Sequence, residues 1–428
     1  MIYLHVPFCG SFCTYCDFYS EICRSAQTFN EYADAVIAEI RDRQEELSKN
    51  MSAQDAVNTL YIGGGTPSVL PLDVLARIVK ALTSSGALPP VTELVEVTVP
   101  TEHFEEFTVE VNPEDIVEKG SEYVHGLIAL GVNRISMGIQ SFDDGILRWM
   151  NRRHDAERAI EAFRILRGCG VRNISIDLIF GLSQLTDEIW NDTIEKALEL
   201  APEHISAYQL SIEEGSALTK MVADGRYVEA TDEQCRRQYD ILCRCLGKSG
   251  YHHYEISNFA KPGFEAIHNS AYWRRVPYIG LGPGAHSLTN NIRSWNSQEL
   301  PHRITDKNPH KATCNNQSNL PPENLLCAQT GNSGMNPSRT PLSDYQDRGL
   351  TTYSRNSETL SPEDIRVERI MLSLRTDKGL EATELYSLAD HTVVDFLLSE
   401  GALEKQGDSI RIPEDHLFTS DEIIRELI

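Results

Sequence analysis

The sequence predicts an α/β protein built from parallel βα units, with a small helical and strand-like segment at its carboxyl end. Short apolar runs recur six times between residues 2 and 212, and helical spacings separate them. Most of these runs end at Gly or Pro, which stop a strand and open a loop. A chain of 428 residues, 41% of them hydrophobic, can bury a large core and suggests two or three domains. Right-handed crossovers would bring every strand-end loop to one rim. A partial (β/α)6 barrel satisfies these features, and by periodicity alone an open doubly wound sheet satisfies them equally.

Ile2-Tyr3-Leu4-His5-Val6 reads as the first strand, ended by Pro7. Tyr32, Ala35, Val36, Ile37, Ile40 and Leu47 give a helical stripe across residues 28–48. Thr59–Ile62 is a second strand running into Gly63-Gly64-Gly65-Thr66-Pro67, followed by a helix from Leu72 to Leu82. Phe107–Val111 is closed by Asn112-Pro113 and followed by a helix to about Leu130. Arg134–Gly138 precedes helices near 143–149 and 155–168. Ile174–Phe180 precedes a helix at 186–199, and His204–Ile212 precedes one at 231–248.

Two stretches leave this rhythm. Residues 91–106 lengthen the connection into the third strand; their first part alternates like an edge strand, which Pro100 interrupts. Residues 307–341 hold seven Asn and five Pro but no aromatic, Val or Ile, so they are expected to be a loosely packed insertion, with Cys314 and Cys327 incidental to it. From Ser361 the pattern turns helical through Leu374, then over 383–389 and 392–400, and becomes strand-like over 403–412. This suggests a small winged-helix-like domain. The expected division is 1–300 for the barrel, including an extension at 251–300, then 301–358 for a linker and 359–428 for the last domain.

A formal net charge of −24 argues against a nucleic-acid surface, local pairs such as Arg274-Arg275 notwithstanding. The sequence contains no apolar run long enough to span a bilayer. The first strand and cysteine loop leave no room for a signal peptide, so ten Cys point to a reduced cytoplasmic protein with a metal site.

That site is Cys9-Gly-Ser-Phe-Cys13-Thr-Tyr15-Cys16, three thiols spaced C-x3-C-x2-C on one loop. Soft thiolates so placed suit an iron–sulfur cluster or zinc, the latter needing a fourth ligand such as Cys23 or His5. With an aromatic before the third Cys, the motif resembles the signature of radical S-adenosylmethionine (SAM) proteins. The wider frame Tyr3-x-His5-x-Pro7-Phe8-Cys9 is similar to the branch holding oxygen-independent coproporphyrinogen III oxidases and HemW-type heme chaperones. The resemblance implies a partial (β/α)6 radical-SAM barrel, a [4Fe–4S] cluster on Cys9, Cys13 and Cys16, and SAM on the remaining iron.

The same resemblance distributes SAM over the strand ends. Gly64, Gly65 and Thr66 would approach the methionyl amino group, since glycine lets backbone come close. Arg152 would hold the carboxylate, Asp177 and Gln140 the ribose hydroxyls, and Glu110 the methionine side, with Tyr3 and Tyr15 lining the site. Taken one at a time, each residue reads equally as a turn or a structural ion pair.

Within the branch, the oxidases carry a further Cys two residues after the third, where this chain has Phe18. His268-Asn-Ser-Ala-Tyr272-Trp273 matches the H-N-x-x-Y-W motif of HemW-type chaperones, and Tyr254–Gly263 also reads like that group. The implied function is binding heme and passing it to an acceptor protein, a membrane hemoprotein being one candidate. His268 is the implied heme residue, with His286 in the Gly280–Ser287 loop as alternative. A packed aromatic cluster around a hydrogen-bonded His268 fits the same residues. The competing expectations are coproporphyrinogen decarboxylation and a zinc-stabilised binding module.

Overall fold

The structure is a computed structural model that describes residues 1–52, 56–84, 104–299 and 352–428. Most of the 91–106 stretch and all of 307–341 lie outside the described residues.

The fully buried strand β1 (Ile2–Val6) leads through the cysteine loop to helices α1 (Ala26–Asp42) and α2 (Gln44–Ser52). Strand β2 (Thr59–Gly64) and helix α3 (Leu72–Ser84) follow, then β3 (Glu106–Val111) and α4 (Pro113–Ala129). Next come β4 (Arg134–Gln140), α5 (Asp144–Trp149), α6 (Ala156–Gly168), β5 (Ile174–Phe180) and α7 (Asp187–Leu200). Strand β6 (His204–Gln209) precedes α8 (Ala217–Ala223) and α9 (Asp232–Lys248). All six strands pair in parallel in chain order, from β1 to β6.

The sheet is longer than six strands. Strands β7 (His252–Glu255) and β8 (Asn258–Ala260) form an antiparallel pair that extends it beyond β6. After α10 (Ile267–Trp273), the three-residue β9 (Ile279–Leu281) pairs in parallel with β1. The described sheet is therefore nine strands, β9-β1-β2-β3-β4-β5-β6-β8-β7, open between β9 and β7. Strands of three or four residues carry too little alternation to register in the sequence, which is why only six were expected.

The helix expected over 28–48 is two helices. They part at Arg43, whose guanidinium turns inward onto Glu39 (2.9 Å), the Gly280 carbonyl (2.6 Å) and Ser287 (3.1 Å). Helical hydrogen bonds still run through this residue, from Arg43 N–H to the Glu39 carbonyl and from Leu47 N–H to the Arg43 carbonyl, each 2.9 Å. Strand β6 ends at Gln209, not at Ile212.

Strands β10 (His286–Thr289), β11 (Ile292–Asn296) and β12 (Arg355–Thr359) form a separate antiparallel sheet beside β9. The carboxyl-terminal part combines α11 (Pro362–Leu374), β13 (Leu380–Glu381), α12 (Ala382–Leu388) and α13 (His391–Ser399) with the hairpin β14 (Glu404–Gln406) and β15 (Ser409–Arg411). Helix α14 (Ser420–Leu427) ends it. Ile370, Leu374, Leu385, Val394, Ile410 and Ile424 give this part its own apolar cluster, against which Trp273 packs.

Candidate cluster and cofactor site

The cysteine loop leaves β1 at the rim where the strands point their carboxyl ends. Phe8–Cys9 pairs with Glu21–Ile22, closing the loop at its base. Its far side is tied to the end of α5. Thr14 N–H donates to the Met150 carbonyl (3.1 Å), Thr14 Oγ1 to the Trp149 carbonyl (2.8 Å), and Asn151 Nδ2 to the Phe12 carbonyl (2.7 Å). Cys9 is buried, while Cys13 and Cys16 are half-buried. Burial, with the negative charge of Cys13 beside it, pushes the Cys16 thiol up to about 12. Cys9 is raised by burial and eased by Thr66, 3.5 Å from its sulfur.

These sulfurs are neighbours, yet they do not form a single-ion site. Among the described residues, one group of three has donor atoms within 4.8 Å of one another, and it lies elsewhere. Tetrahedral zinc would hold its sulfurs about 3.8 Å apart, given Zn–S near 2.3 Å. A cluster spreads its thiolates over several irons. Of the two fourth ligands considered for zinc, His5 is engaged: both its nitrogens are bonded, to Tyr3 Oη (3.1 Å) and the Tyr19 carbonyl (3.0 Å).

The glycine loop after β2 is zippered to the cysteine loop. Gly65 N–H donates to the Val6 carbonyl (2.8 Å) and Thr66 N–H to the Phe8 carbonyl (2.7 Å). A Cβ on Gly65 would stand 2.7 Å from the Phe8 carbonyl oxygen, and Gly64 adopts φ 109° beside the His5 ring. Only glycine allows that approach. Gly64 N–H donates to Glu110 Oε2 (3.1 Å), so the three backbone donors are all spent within the chain. Carbonyl acceptors are what this loop has left to offer, and those suit an ammonium group.

Glu110 also accepts from Tyr61 Oη (2.7 Å). Burial raises its carboxyl to about 7 against that bond, and the charge of Asp177 adds to the rise. Asp177, on β5, accepts from Ser136 Oγ at 3.3 Å, and burial raises it to about 6. Gln140 sits at φ 71° where β4 breaks register with β5, turning its amide out of the ladder.

Arg152 closes the rim beside the thiols. Its Nη1 lies 3.4 Å from Cys13 Sγ, and Nη2 donates to Asn112 Oδ1 (2.6 Å) and the Gly138 carbonyl (2.7 Å). Burial opposes its charge, but Tyr15, Cys13 and Glu114 outweigh burial and hold it protonated. The buried Nε has no hydrogen-bond partner among the described residues. That orphaned donor is unusual for a buried guanidinium and awaits an acceptor. With the glycine cradle and the three thiols, it fits a carboxylate-bearing cofactor on a cluster.

Cys9, Cys13, Cys16, Tyr15, Gly64, Gly65, Thr66, Glu110, Gln140, Arg152 and Asp177 thus sit along the strand-end rim, with Tyr3 below it reaching toward His5. His268 does not join them. It lies on α10, and its ring is 1% exposed. Nδ1 is 2.7 Å from Thr59 Oγ1 at the opposite end of β2, and Nε2 is 3.1 Å from Tyr272 Oη. Thr59 to Gly64 is about 17 Å of strand. Burial lowers the ring to about 3, so it stays neutral. Both nitrogens thus meet buried hydroxyls, which is the hydrogen-bonded aromatic cluster that the sequence also allowed.

The radical SAM superfamily model matches residues 3–197. Heme chaperone HemW of Lactococcus lactis subsp. lactis (strain IL1403) is 33% identical over 328 residues, covering 76% of this chain and 80% of that protein. HemW of Bacillus subtilis (strain 168) is 34% identical, covering 71% and 74%. The chain belongs to the HemW family of radical SAM proteins. HemW of Mycobacterium tuberculosis (strain ATCC 25618 / H37Rv) aligns over 427 residues at 27% identity, so the family likeness includes the carboxyl-terminal part. Among solved structures, coproporphyrinogen III oxidase (HemN) from Escherichia coli matches with TM-score 0.70 at 20% identity, covering 99% of this chain and 89% of that one. At that identity the likeness establishes the fold.

Tyr61 and Asn112, which bond Glu110 and Arg152, were not among the site residues expected from the sequence. Tyr61 had a weak signal: it stands two residues before Gly63, on one face of the strand. Asn112 read only as a strand terminator.

Proposed function

We propose that the chain is a heme chaperone, binding heme and passing it to an acceptor protein in the cytoplasm, with a [4Fe–4S] cluster and SAM at the rim. The observation that carries this over porphyrin oxidation is Phe18, 44% exposed where the oxidases resembled have a further Cys. Family membership with curated heme chaperones supports it.

In this reading Cys9, Cys13 and Cys16 hold three irons, and Thr66 steadies Cys9. The free Nε edge of Arg152 takes the SAM carboxylate, and the carbonyls of Gly64 and Gly65 take its ammonium. Glu110 faces the methionine side, Asp177 and Gln140 the ribose, and Tyr3 and Tyr15 line the pocket. When bound, the cluster and SAM supply one-electron chemistry. The chain's residues would orient SAM, whose positive charge would favour the ionised forms of Glu110 and Asp177. Residues 251–300 act as an extension of the barrel and 359–428 as a separate unit, with no nucleic acid among the partners.

For heme, His286 offers what His268 withholds. It is half-buried on β10 and stacked on Trp295 (5.9 Å, 21°), giving a ring edge beside a flat apolar surface. His268 then supports the motif from beneath. Anaerobically reconstituted protein should bind heme stoichiometrically and leave coproporphyrinogen III unchanged. His286→Ala should weaken heme binding or shift its absorption while cluster iron stays constant. Conversion of coproporphyrinogen III to protoporphyrinogen IX would replace this reading with the enzymatic one.

A further inference from the structure

The one described group of three close metal donors lies away from the rim: Cys243 on α9, His253 on β7, and Glu414 in the 3₁₀ turn Glu414–Thr419. Their donor atoms all fall within 4.8 Å of one another. Cys243 Sγ is 4.0 Å and Glu414 Oε1 3.2 Å from His253 Nδ1. Tetrahedral zinc with S, N and O ligands would set such atoms about 3.3–3.6 Å apart, so small side-chain adjustments suffice.

The histidine is already oriented as metal-ligating histidines are. Its Nε2 faces the Ile256 carbonyl (3.4 Å) and Tyr239 Oη (3.3 Å), while Tyr239 donates its own proton to that carbonyl (2.9 Å). With hydrogen on Nε2, Nδ1 turns its lone pair toward the carboxylate and the thiol; with hydrogen on Nδ1, the ring donates to Glu414 instead. The ring is locked by stacking on Phe259 (4.1 Å, 15°). Two acceptors 3.2 Å apart repel unless a proton or a cation lies between them.

We propose that Cys243, His253 and Glu414 form a zinc-type metal site, open at one coordination position, that fastens the carboxyl-terminal unit to the sheet. A thiolate, an imidazole and a carboxylate form a borderline donor set suited to such a dication. Glu414 is exposed, at 61% of its side-chain surface, so water can complete the shell. The ion would join α9 and β7 to the turn that precedes α14.

The test removes the other thiol site. A Cys9→Ala/Cys13→Ala/Cys16→Ala variant, loaded with Zn(II) and passed over a chelating resin, should retain about one zinc per chain. Co(II) in its place should show thiolate-to-metal charge transfer. Adding Cys243→Ser should abolish that band, and adding Glu414→Gln should weaken retention at least tenfold. Zinc should raise the unfolding temperature only where all three ligands remain. If the triple variant fails to fold, cluster-reconstituted protein, whose loop thiols are occupied, reports the same zinc count. No retained zinc, or retention undiminished by either ligand change, would overturn the site and leave a His253–Glu414 ion pair.

Discussion

Glu110 and Asp177 are buried carboxyls whose ionisation costs the fold stability. Both hold protons that the unfolded chain would release, with folded values near 7 and 6 against 4.5 and 3.8. Between about pH 4.5 and 7 the native state binds more protons than the unfolded one, so stability falls as pH rises through that window. Glu110→Gln removes one of these groups while keeping an acceptor for Tyr61. The cofactor-free variant should gain roughly 2 kcal/mol at pH 8 and almost nothing at pH 4.5. SAM affinity should fall in the same variant. Denaturation curves at several pH values check this, and parallel profiles for variant and parent would refute the burial argument. The identity of these carboxyls was legible in the sequence as polar interruptions of apolar strands. Their mutual repulsion was not, because it depends on β3 and β5 bringing two distant residues together.

At the scale of elements, α10 is the informative case. Its first two N–H groups donate to Glu106 at the start of β3, each at 2.9 Å, so the helix is pinned across the strand beginnings. His268 completes the attachment through Thr59 and Tyr272. His268→Ala should strand a buried hydroxyl and open a cavity, costing roughly 2–4 kcal/mol. Urea denaturation should show this loss with cluster iron unchanged. Heme binding lost at undiminished stability would instead restore His268 as the ligand. The motif was plain in the sequence, but its direction was not: a helix can turn the same histidine to solvent or to the core.

Across the whole molecule, one buried network welds the late segment 279–296 to the first helix. Glu39 accepts from Gly282 N–H (2.9 Å) and Asn296 Nδ2 (2.8 Å), while Arg43 reaches the Gly280 carbonyl and Ser287. The Glu39–Arg43 pair is almost fully buried, at 3% and 4% side-chain exposure. Arg43→Met removes the cation paired with Glu39, whose carboxyl burial already raises, and should cost roughly 3–5 kcal/mol. Hydrogen exchange should then quicken first at Ile279–Leu281, the edge strand that this network holds. Uniform exchange across the sheet would show that β9 stays docked without it.

By itself the sequence determined the six-strand alternation, the three-thiol loop, the glycine cradle and the family. Each is a local pattern in which period, spacing or a missing Cβ suffices. Tertiary structure alone decided the rest. The added strands β7, β8 and β9 are too short to carry a period and exist because a neighbour's ladder satisfies them. Arg43 finds partners more than 200 residues away. The burial of His268 and the meeting of Cys243, His253 and Glu414 follow from how helices dock on the sheet. Burial and charge proximity are properties of the packed chain, and no window of sequence contains them.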